Sequence, residues 1–298
     1  MAAIVNLIIQ IYTELTEAAI KTIQFSWHWL FDTAELHLWL APYLFFLIIE
    51  RIIGRQQRAT REEVTHNFAF LITWVFVFVL VNPILTRGVS WSKHHTGGPY
   101  LDLTFETNNK IIPNILALFI YFFIYDFFSY WWHRLQHTFP FLWVTHKLHH
   151  TDKNLGVTTT MKEHPISFIC RTLIIALPMN ILFSLTPVTI FWVAYSVRLY
   201  GHFIHTNIDC HFGWLNRILT SPNQHRLHHS LLPEHRDKNF ATYFSIIDVI
   251  FGTYLPPGKI EAPTGLDSGE TYPSIWSAYT QPFHDWSNMI KEWRERRT

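Results

Sequence analysis

Eight of the chain's 19 histidines lie in three short motifs, and each motif stands next to a long apolar stretch. The motifs read H-x-x-x-H, H-x-x-H-H and H-x-x-H-H, and their members are His133, His137, His146, His149, His150, His225, His228 and His229. On a helix, positions i, i+3 and i+4 share one face, so each motif directs two or three imidazoles toward one point. Nitrogen-rich sites of this kind suit iron, zinc, copper or nickel. The pattern predicts a metal centre at a membrane surface.

The chain is rich in apolar side chains and poor in charge. Hydrophobic residues make up 49% and charged residues 15% of the sequence, whereas an average soluble domain has about 25% charged residues. Much of the surface must therefore face something other than water. A net charge of +1 argues against nucleic acid as a partner. Cys170 and Cys210 are the only cysteines, too few for a disulfide framework or a cysteine-based zinc site.

Four or five segments are long and apolar enough to cross a bilayer, which takes about 20 helical residues. They cover residues 36–53, 68–85, 111–132, 166–185 and 188–204. The last two are joined by Thr186 and Pro187, which suits a tight helical hairpin. A further segment, 4–23, fits an interfacial helix or a weak span.

A soluble helical protein is the alternative, but it has too few charged residues to cover so many apolar helices. The expected fold is an all-α integral membrane bundle of about four to five spans, and no linker divides residues 1–298 into separate domains.

Lysine and arginine predict the orientation of this bundle. The link between the first two spans holds four arginines, residues 133–165 hold four basic residues, and the region after His205 holds nine. By the positive-inside rule these segments face the cytoplasm. We therefore expect the histidine motifs in a helical cytoplasmic cap, in a bacterial inner membrane or the endoplasmic reticulum.

Two more histidines, His202 and His205, close the last span with i, i+3 spacing. With the eight motif histidines they make ten candidate ligands, which is too many for one ion and about right for two. His164, just before Pro165, is a weaker candidate, either as a ligand or as a residue that supports one.

Ligand histidines usually need an acceptor for the second ring nitrogen. The candidate acceptors are Asp126, Asp237, Asp248, Asn154, Asn223 and Asn239. Asp126 is the most suggestive, because an unpaired carboxylate inside an apolar span is expensive. We hypothesise that Arg198 or a ligand histidine holds Asp126; simple snorkelling of Arg198 is the alternative.

Two redox-active metals bound by neutral histidines are a setting in which dioxygen can be reduced to an oxidant strong enough for an unactivated C–H bond. A hydrolytic di-zinc site is the chemical rival, but it usually draws on carboxylates. No Asp or Glu lies inside a motif. The membrane setting indicates a lipid substrate, whose chain enters the bundle while the reacting carbon reaches the metals.

The order of the motifs resembles that of the fatty acid hydroxylase superfamily, which includes sterol desaturases, sphingolipid hydroxylases and alkylglycerol monooxygenase. The resemblance is carried by three segments, YWWHRLQH at 130–137, HKLHH at 146–150 and SPNQHRLHH at 221–229. DKNF at 237–240 and IDVIFGT at 247–253 also resemble the family. The similarity covers residues 114–254, the core of the proposed single domain.

This resemblance implies a di-iron oxygenase that uses O2 and external electrons to hydroxylate a lipid such as an acyl or alkyl chain, a sphingolipid or a sterol. The sequence shows no cytochrome-b5-like domain, so electrons are expected from a separate cytochrome b5, ferredoxin or reductase. Desaturation is an alternative, because it begins with the same hydrogen abstraction. A membrane metal transporter or storage protein is an alternative of a different class, although transporters place ligands within several spans. A zinc-stabilised scaffold would need only four ligands per ion.

Overall fold

A computed structural model describes residues 35–55, 58–102, 111–185, 187–258 and 262–297. The predicted N-terminal segment 4–23 lies outside the described residues. Within these ranges the chain is mostly helical, and its regular strands are the two-residue β1 (Leu101–Asp102) and β2 (Phe183–Ser184), which pair in parallel.

Five long helices coincide with the five predicted apolar segments. They are α1 (Glu35–Ile53), α2 (Arg61–Thr96), α3 (Ile111–Thr138), α5 (Pro165–Leu182) and α6 (Pro187–His205). Local sequence determines both ends of α2. Thr60 and Glu63 form a reciprocal capping box at its start, and Gly97, with a left-handed φ of 71°, ends the helix. Helix α3 continues past its apolar part to Thr138, so that its last turns carry the first histidine motif.

Short elements lie between the long helices α3 and α5 and again after α6. They are α4 (Pro140–His146), α7 (Pro222–His228), α8 (Ile246–Ile250) and four 3₁₀ turns, at Lys147–His150, Val157–Met161, Gly213–Arg217 and Pro233–His235. A longer helix, α9 (Ile275–Glu295), packs against α4 and α2. Lys147 fixes α9 in place, with its Nζ 2.7 Å from an Asp285 oxygen and 2.8 Å from a Glu270 oxygen.

The long helices pack as neighbours, α2 against α5, α1 against α6 and α3 against α5. One buried core lies between α3, α5, β2 and α6 and contains Tyr121, Ile175, Met179, Phe183 and Val193. A second core, with Tyr43, Phe46, Leu71, Val157 and Met161, joins α1 and α2 to the turn that follows the second histidine motif. The bundle is therefore packed directly onto the region that carries the motifs.

Several long helices also present large apolar side chains outward. Ile72 on α2, Ile115 on α3 and Trp192 on α6 are about 60% exposed, which suits lipid contact and is costly in water. Among the described residues, 115–138 and 165–182 are both long and apolar enough to cross a membrane. The structure thus indicates a membrane protein, while four to five spans and a cytoplasmic cap remain predictions.

Candidate metal centre

Nine buried or half-buried histidines converge into two neighbouring groups. Site A contains His133, His137, His146, His150 and His228. Site B contains His149, His205, His225 and His229. Within each site the candidate ligand nitrogens all lie within 4.8 Å of one another. The sites adjoin, since the rings of His150 and His229 stack with centroids 4.4 Å apart.

Each ligand is placed by the end of a helix. His133 and His137 stand on the last turns of α3, His146 ends α4, and His205 ends α6. The remaining ligands lie on the 3₁₀ turn after α4 and on or just after α7: His149, His150, His225, His228 and His229. Ser221 caps α7 and Pro222 starts it, so the third motif begins at a well-defined helix terminus.

The two H-x-x-H-H motifs divide their ligands between the sites. His146 and His150 serve site A, whereas His149, between them, points into site B. In the third motif His228 serves site A and its neighbours serve site B. Successive residues are rotated by about 100° in an α-helix and by about 120° in a 3₁₀ turn, so adjacent histidines point to different sides and one short motif can contribute to two ions.

Backbone carbonyls fix several imidazole tautomers. A carbonyl can only accept, so Nδ1 of His133 donates to Phe240 at 2.9 Å and Nδ1 of His228 donates to Lys238 at 2.9 Å. In site B, Nδ1 of His205 donates to the Gly201 carbonyl at 2.7 Å. His149 makes a longer contact of the same kind, 3.3 Å to the carbonyl of Lys162. With the proton on Nδ1, each Nε2 carries a free lone pair, which is the form that binds a metal.

These lone pairs face one another. Nε2 of His205 lies 3.1 Å from Nε2 of His149, although neither nitrogen has a proton to share. A metal with Zn–N-type bonds of about 2.1 Å can bind both nitrogens at once. In site A, the buried Nε2 atoms of His133, His137 and His228 have no hydrogen-bond partner among the described residues. The donor atoms therefore fit a metal ion in each site.

The electrostatics keep the imidazoles neutral. Burial and then the neighbouring histidines lower the pKa of six site residues well below the usual imidazole value; these are His146, His149, His150, His225, His228 and His229. Neutral imidazole is the ligand form at pH 7. Among the described residues neither site includes a carboxylate or thiolate, which fits the nitrogen-rich coordination expected for iron, zinc, copper or nickel.

A short segment, residues 237–240, supports three of the five ligands in site A. Besides the carbonyls of Lys238 and Phe240, it supplies Asp237, whose Oδ1 lies 3.3 Å from Nδ1 of His137. The hydrogen bond to His137 is the main reason why the pKa of Asp237 is lowered. Asp237 and Asn239 adopt the left-handed φ values 56° and 57°, which Asp and Asn tolerate better than most residues.

Asn239 and Asp248 hold this segment in place. The Asn239 amide donates to the carbonyls of Gln224 and Leu255, and its oxygen accepts from the Leu255 N–H at 2.8 Å. Asp248 accepts the N–H groups of Phe240 and Ala241 at 2.8 and 3.0 Å. Both residues therefore act on the ligands through the backbone they position.

The structure corrects our hypothesis about Asp126. Its oxygens accept the backbone N–H groups of Thr242, Tyr243 and Phe244 at 3.0, 2.9 and 2.7 Å, and neither Arg198 nor a ligand histidine is the group that holds it. Three donors from one non-helical segment already satisfy the carboxylate, which removes the need for a charged partner.

The other predicted support residues lie further away. Asn223 accepts from Arg55 at 2.9 Å and from the Cys210 N–H, and it donates to Asp209. It thereby ties the start of α7 to the chain that follows α1. Asn154 donates to Glu63 on α2. His164 caps α5 and contacts the Tyr279 carbonyl on α9, so the structure does not bring it into either site.

His202 also falls outside both sites. It is fully buried, its ring lies edge-on to Tyr43 of α1 at 5.6 Å, and its nitrogens are not within the ligand groups of either site. Three residues along a helix correspond to a rise of about 4.5 Å, so His202 lies nearly one turn deeper than His205. The geometry gathers nine of the ten predicted ligands.

Sequence reasoning missed the backbone acceptors at Lys162, Gly201, Lys238 and Phe240. A carbonyl carries no side-chain signal, and its position depends on the tertiary path of the chain. The available sequence signal was the presence of Asp237 and Asn239 in the DKNF segment. After Gly, Asp and Asn are among the residues that most often adopt left-handed φ values, and such values indicate an irregular backbone path.

The comparison with known families bears on the motif-bearing region. Residues 118–253 match the family described as Fatty acid hydroxylase. This region belongs to the fatty acid hydroxylase superfamily. The resemblance inferred from the motifs is thereby confirmed, and the histidines of both sites, from His133 to His229, lie inside the matched range.

Curated relatives carry the names of lipid-modifying oxygenases. The chain is 33% identical over 132 residues to alkylglycerol monooxygenase of Xenopus tropicalis, covering 44% of this chain and 29% of that protein. It is 30% identical over 161 residues to ornithine lipid hydroxylase OlsE of Rhizobium tropici, covering 54% of this chain and 48% of that protein. The alignments span less than half of either relative. No solved structure matches the chain. The names of these two relatives are those of oxidoreductases of the hydroxylase or monooxygenase type.

Proposed function

We propose that the protein is a membrane-bound di-iron oxygenase that hydroxylates a lipid with O2 and electrons from a separate donor. The observation that carries the proposal is the pair of adjoining sites, built from nine histidines. In His133, His205 and His228 the non-ligating nitrogen is held by a backbone carbonyl, and in His137 it is held by Asp237. Site A would hold one iron and site B the other.

Iron in these sites would supply the reduction of O2 to an oxidant that can take hydrogen from an unactivated C–H bond. The chain's own residues keep the imidazoles neutral, orient their lone pairs inward and bury the centre. No carboxylate belongs to either site among the described residues, which disfavours a hydrolytic di-zinc centre, since such centres usually draw on carboxylates.

A lipid substrate is supported by the position of the sites. Site A begins on the last turns of α3, the apolar helix that contains one of the candidate spans. A substrate chain in the membrane can thus reach the metals without crossing water. The names of the relatives, an alkylglycerol monooxygenase and an ornithine lipid hydroxylase, support an alkyl or acyl lipid with a polar headgroup. We place the sites on the cytoplasmic side on the charge distribution alone.

The test uses the full chain, purified in lipid nanodiscs and loaded with iron. Metal content is measured first, and the protein is then supplied with O2, an ether lipid or an ornithine lipid, and either cytochrome b5 or ferredoxin with its reductase. Lipid mass spectra should show a gain of one oxygen, which His228→Ala abolishes and the exposed control His284→Ala preserves.

Other outcomes separate the alternatives. A loss of two hydrogens from the lipid would make the protein a desaturase. Stable binding of two irons without lipid oxidation by any donor would contradict the proposal and favour metal storage. Binding of zinc in place of iron, again without oxidation, would favour a structural site.

A further inference from the structure

Part of the region after α7 runs deep along the membrane helix α3. Asp126 lies seven residues before His133, which is about 10 Å along the helix, and its oxygens accept three consecutive N–H groups at 242–244. Non-helical backbone is tolerated at membrane depth only where its polar groups are satisfied by protein. An acidic side chain inside a candidate span provides that satisfaction.

Aromatic contacts place the same segment further down the helix. The ring of Phe244 lies 5.5 Å from Phe119 and 5.7 Å from Phe123, about 15 to 20 Å along α3 from His133 by helical rise. Tyr243 packs between helices, with its ring 5.7 Å from Phe122 on α3 and stacked 4.7 Å from Tyr200 on α6. The chain therefore descends from site A into the helical bundle and then continues into α8.

The outer face of this part of the chain is apolar. Ile250 on α8 is 63% exposed and Trp214 on the neighbouring 3₁₀ turn is 74% exposed. Val249, Leu215 and Ile218 add further exposed apolar surface. The two elements are joined, because the Ser245 hydroxyl donates to the Asn216 carbonyl and the Thr220 N–H donates to the Tyr243 carbonyl.

We propose that residues 213–218 and 242–251 form a re-entrant element whose outer face is immersed in the acyl chains of the membrane. The occupant of this face is the bilayer itself, since the face is continuous with the lipid-type surface of α3, where Phe119 and Phe127 are also exposed. Asp248, the one charged residue within 242–251, is fully buried. Arg217 is the exposed cation on the other segment, and its long side chain can extend to the phosphate layer.

This element would link the membrane to the metal centre. Phe240, whose carbonyl positions His133, stands two residues before the first N–H that Asp126 accepts. The depth of residues 242–251 in the membrane would therefore determine how far site A lies from the hydrocarbon region. The inference does not rest on the proposed catalytic activity.

The test measures the environment of single spin labels in lipid nanodiscs. Cys170 and Cys210 are first replaced by serine, and one cysteine is then introduced by Ile250→Cys or Trp214→Cys. Ile115→Cys on α3, 62% exposed in the structure, is the lipid reference, and Ser268→Cys, in an exposed loop, is the water reference. The collision rate of each label is measured with O2, which concentrates in lipid, and with a water-soluble nickel chelate.

We expect the ratio of O2 to nickel collisions at positions 250 and 214 to lie several-fold above that at position 268 and close to that at position 115. Ratios closer to the value at 268 would overturn the proposal and identify the face as water-exposed. All labelled positions are exposed, so the cysteine substitutions remove no core contact. With two test positions, the proposal can still be tested if one of the two variants does not fold. The result is independent of metal loading and of turnover, so it can fail while the oxygenase proposal stands.

Discussion

At the level of single residues, each imidazole must present one particular nitrogen, and the surrounding groups decide which. His228 illustrates this, because its Nδ1 donates to the Lys238 carbonyl while its buried Nε2 faces site A without a hydrogen-bond partner in the described chain. The ligand is thus prepared by the fold before a metal binds. Such preparation matters because outer partners of ligands typically contribute about 10- to 100-fold to metal affinity or activity.

We predict that His228→Ala or His149→Ala abolishes turnover and lowers the metal content. Each variant removes one nitrogen from a different site, His228 from site A and His149 from site B. Metal analysis of the purified variants, together with the lipid assay, checks this. His284→Ala, which alters an exposed histidine on α9, should change neither quantity. Full metal content in both ligand variants would contradict the assignment.

A second prediction concerns Asp237, which contacts a ligand and is not one. Asp237→Asn keeps an acceptor oxygen and a residue that tolerates the left-handed φ of 56°, but it removes the charge beside His137. We expect metal affinity to fall by about tenfold, the lower end of the range for such partners. Competition with a chelator measures the affinity.

The matched control is Asp267→Asn. Asp267 also forms an ion pair, with Arg236, but both side chains are more than half exposed and neither lies in a metal site. If the metal affinity of Asp237→Asn is unchanged, or if Asp267→Asn loses as much metal affinity, the proposal that Asp237 supports metal binding through His137 is contradicted.

At the level of elements, helix α3 both carries metal-ligand candidates and binds the segment that positions one of them. Its last turns carry His133 and His137, and one of its inner turns carries Asp126, which holds the segment leading away from Phe240. The sequence predicted the apolar segment 111–132, which is helical in the structure, because apolar length is a local property. The partner of Asp126 could not be predicted, since Thr242 is 116 residues away and contributes only its backbone.

We predict that Asp126→Ala lowers the free energy of unfolding by roughly 3 kcal/mol, because it leaves one buried and two partly buried N–H groups without their acceptor. Asp126→Asn should cost less, since one amide oxygen can still accept. Ser129→Ala is the matched control, because Ser129 reaches the same segment only through a 3.5 Å contact to Thr242. Unfolding midpoints of the three variants in one detergent check the order. Equal stability of Asp126→Ala and Ser129→Ala would contradict it.

At the level of the whole molecule, two clustered sites of neutral histidine make the metal-free protein sensitive to acid. The pKa of each of the six site histidines outside the spans is lowered in the folded state. Below the ordinary imidazole pKa of about 6.5, the unfolded chain therefore binds more protons than the folded chain. The free energy of unfolding therefore decreases as the pH falls, by up to about 1.4 kcal/mol per pH unit for each histidine.

We predict that the unfolding temperature of chelator-treated protein is constant above about pH 6.5 and falls between about pH 6.5 and 5. Thermal unfolding at several pH values measures this. His229→Gln, which removes one of the titrating rings, should make the fall shallower, and His284→Ala should leave it unchanged. A flat profile through this range would contradict the predicted burial of neutral imidazoles.

The amino-acid sequence by itself determined the helical class, the five apolar segments and the histidines that are candidates for metal binding. These properties follow from residue type and short-range spacing, which act within one element. The division of nine histidines between two sites, the exclusion of His202 and the carbonyls that orient the ligands were decided by tertiary structure. Each of them depends on how distant segments pack, as when residues 237–240 approach α3 and bring the Phe240 carbonyl within 2.9 Å of His133.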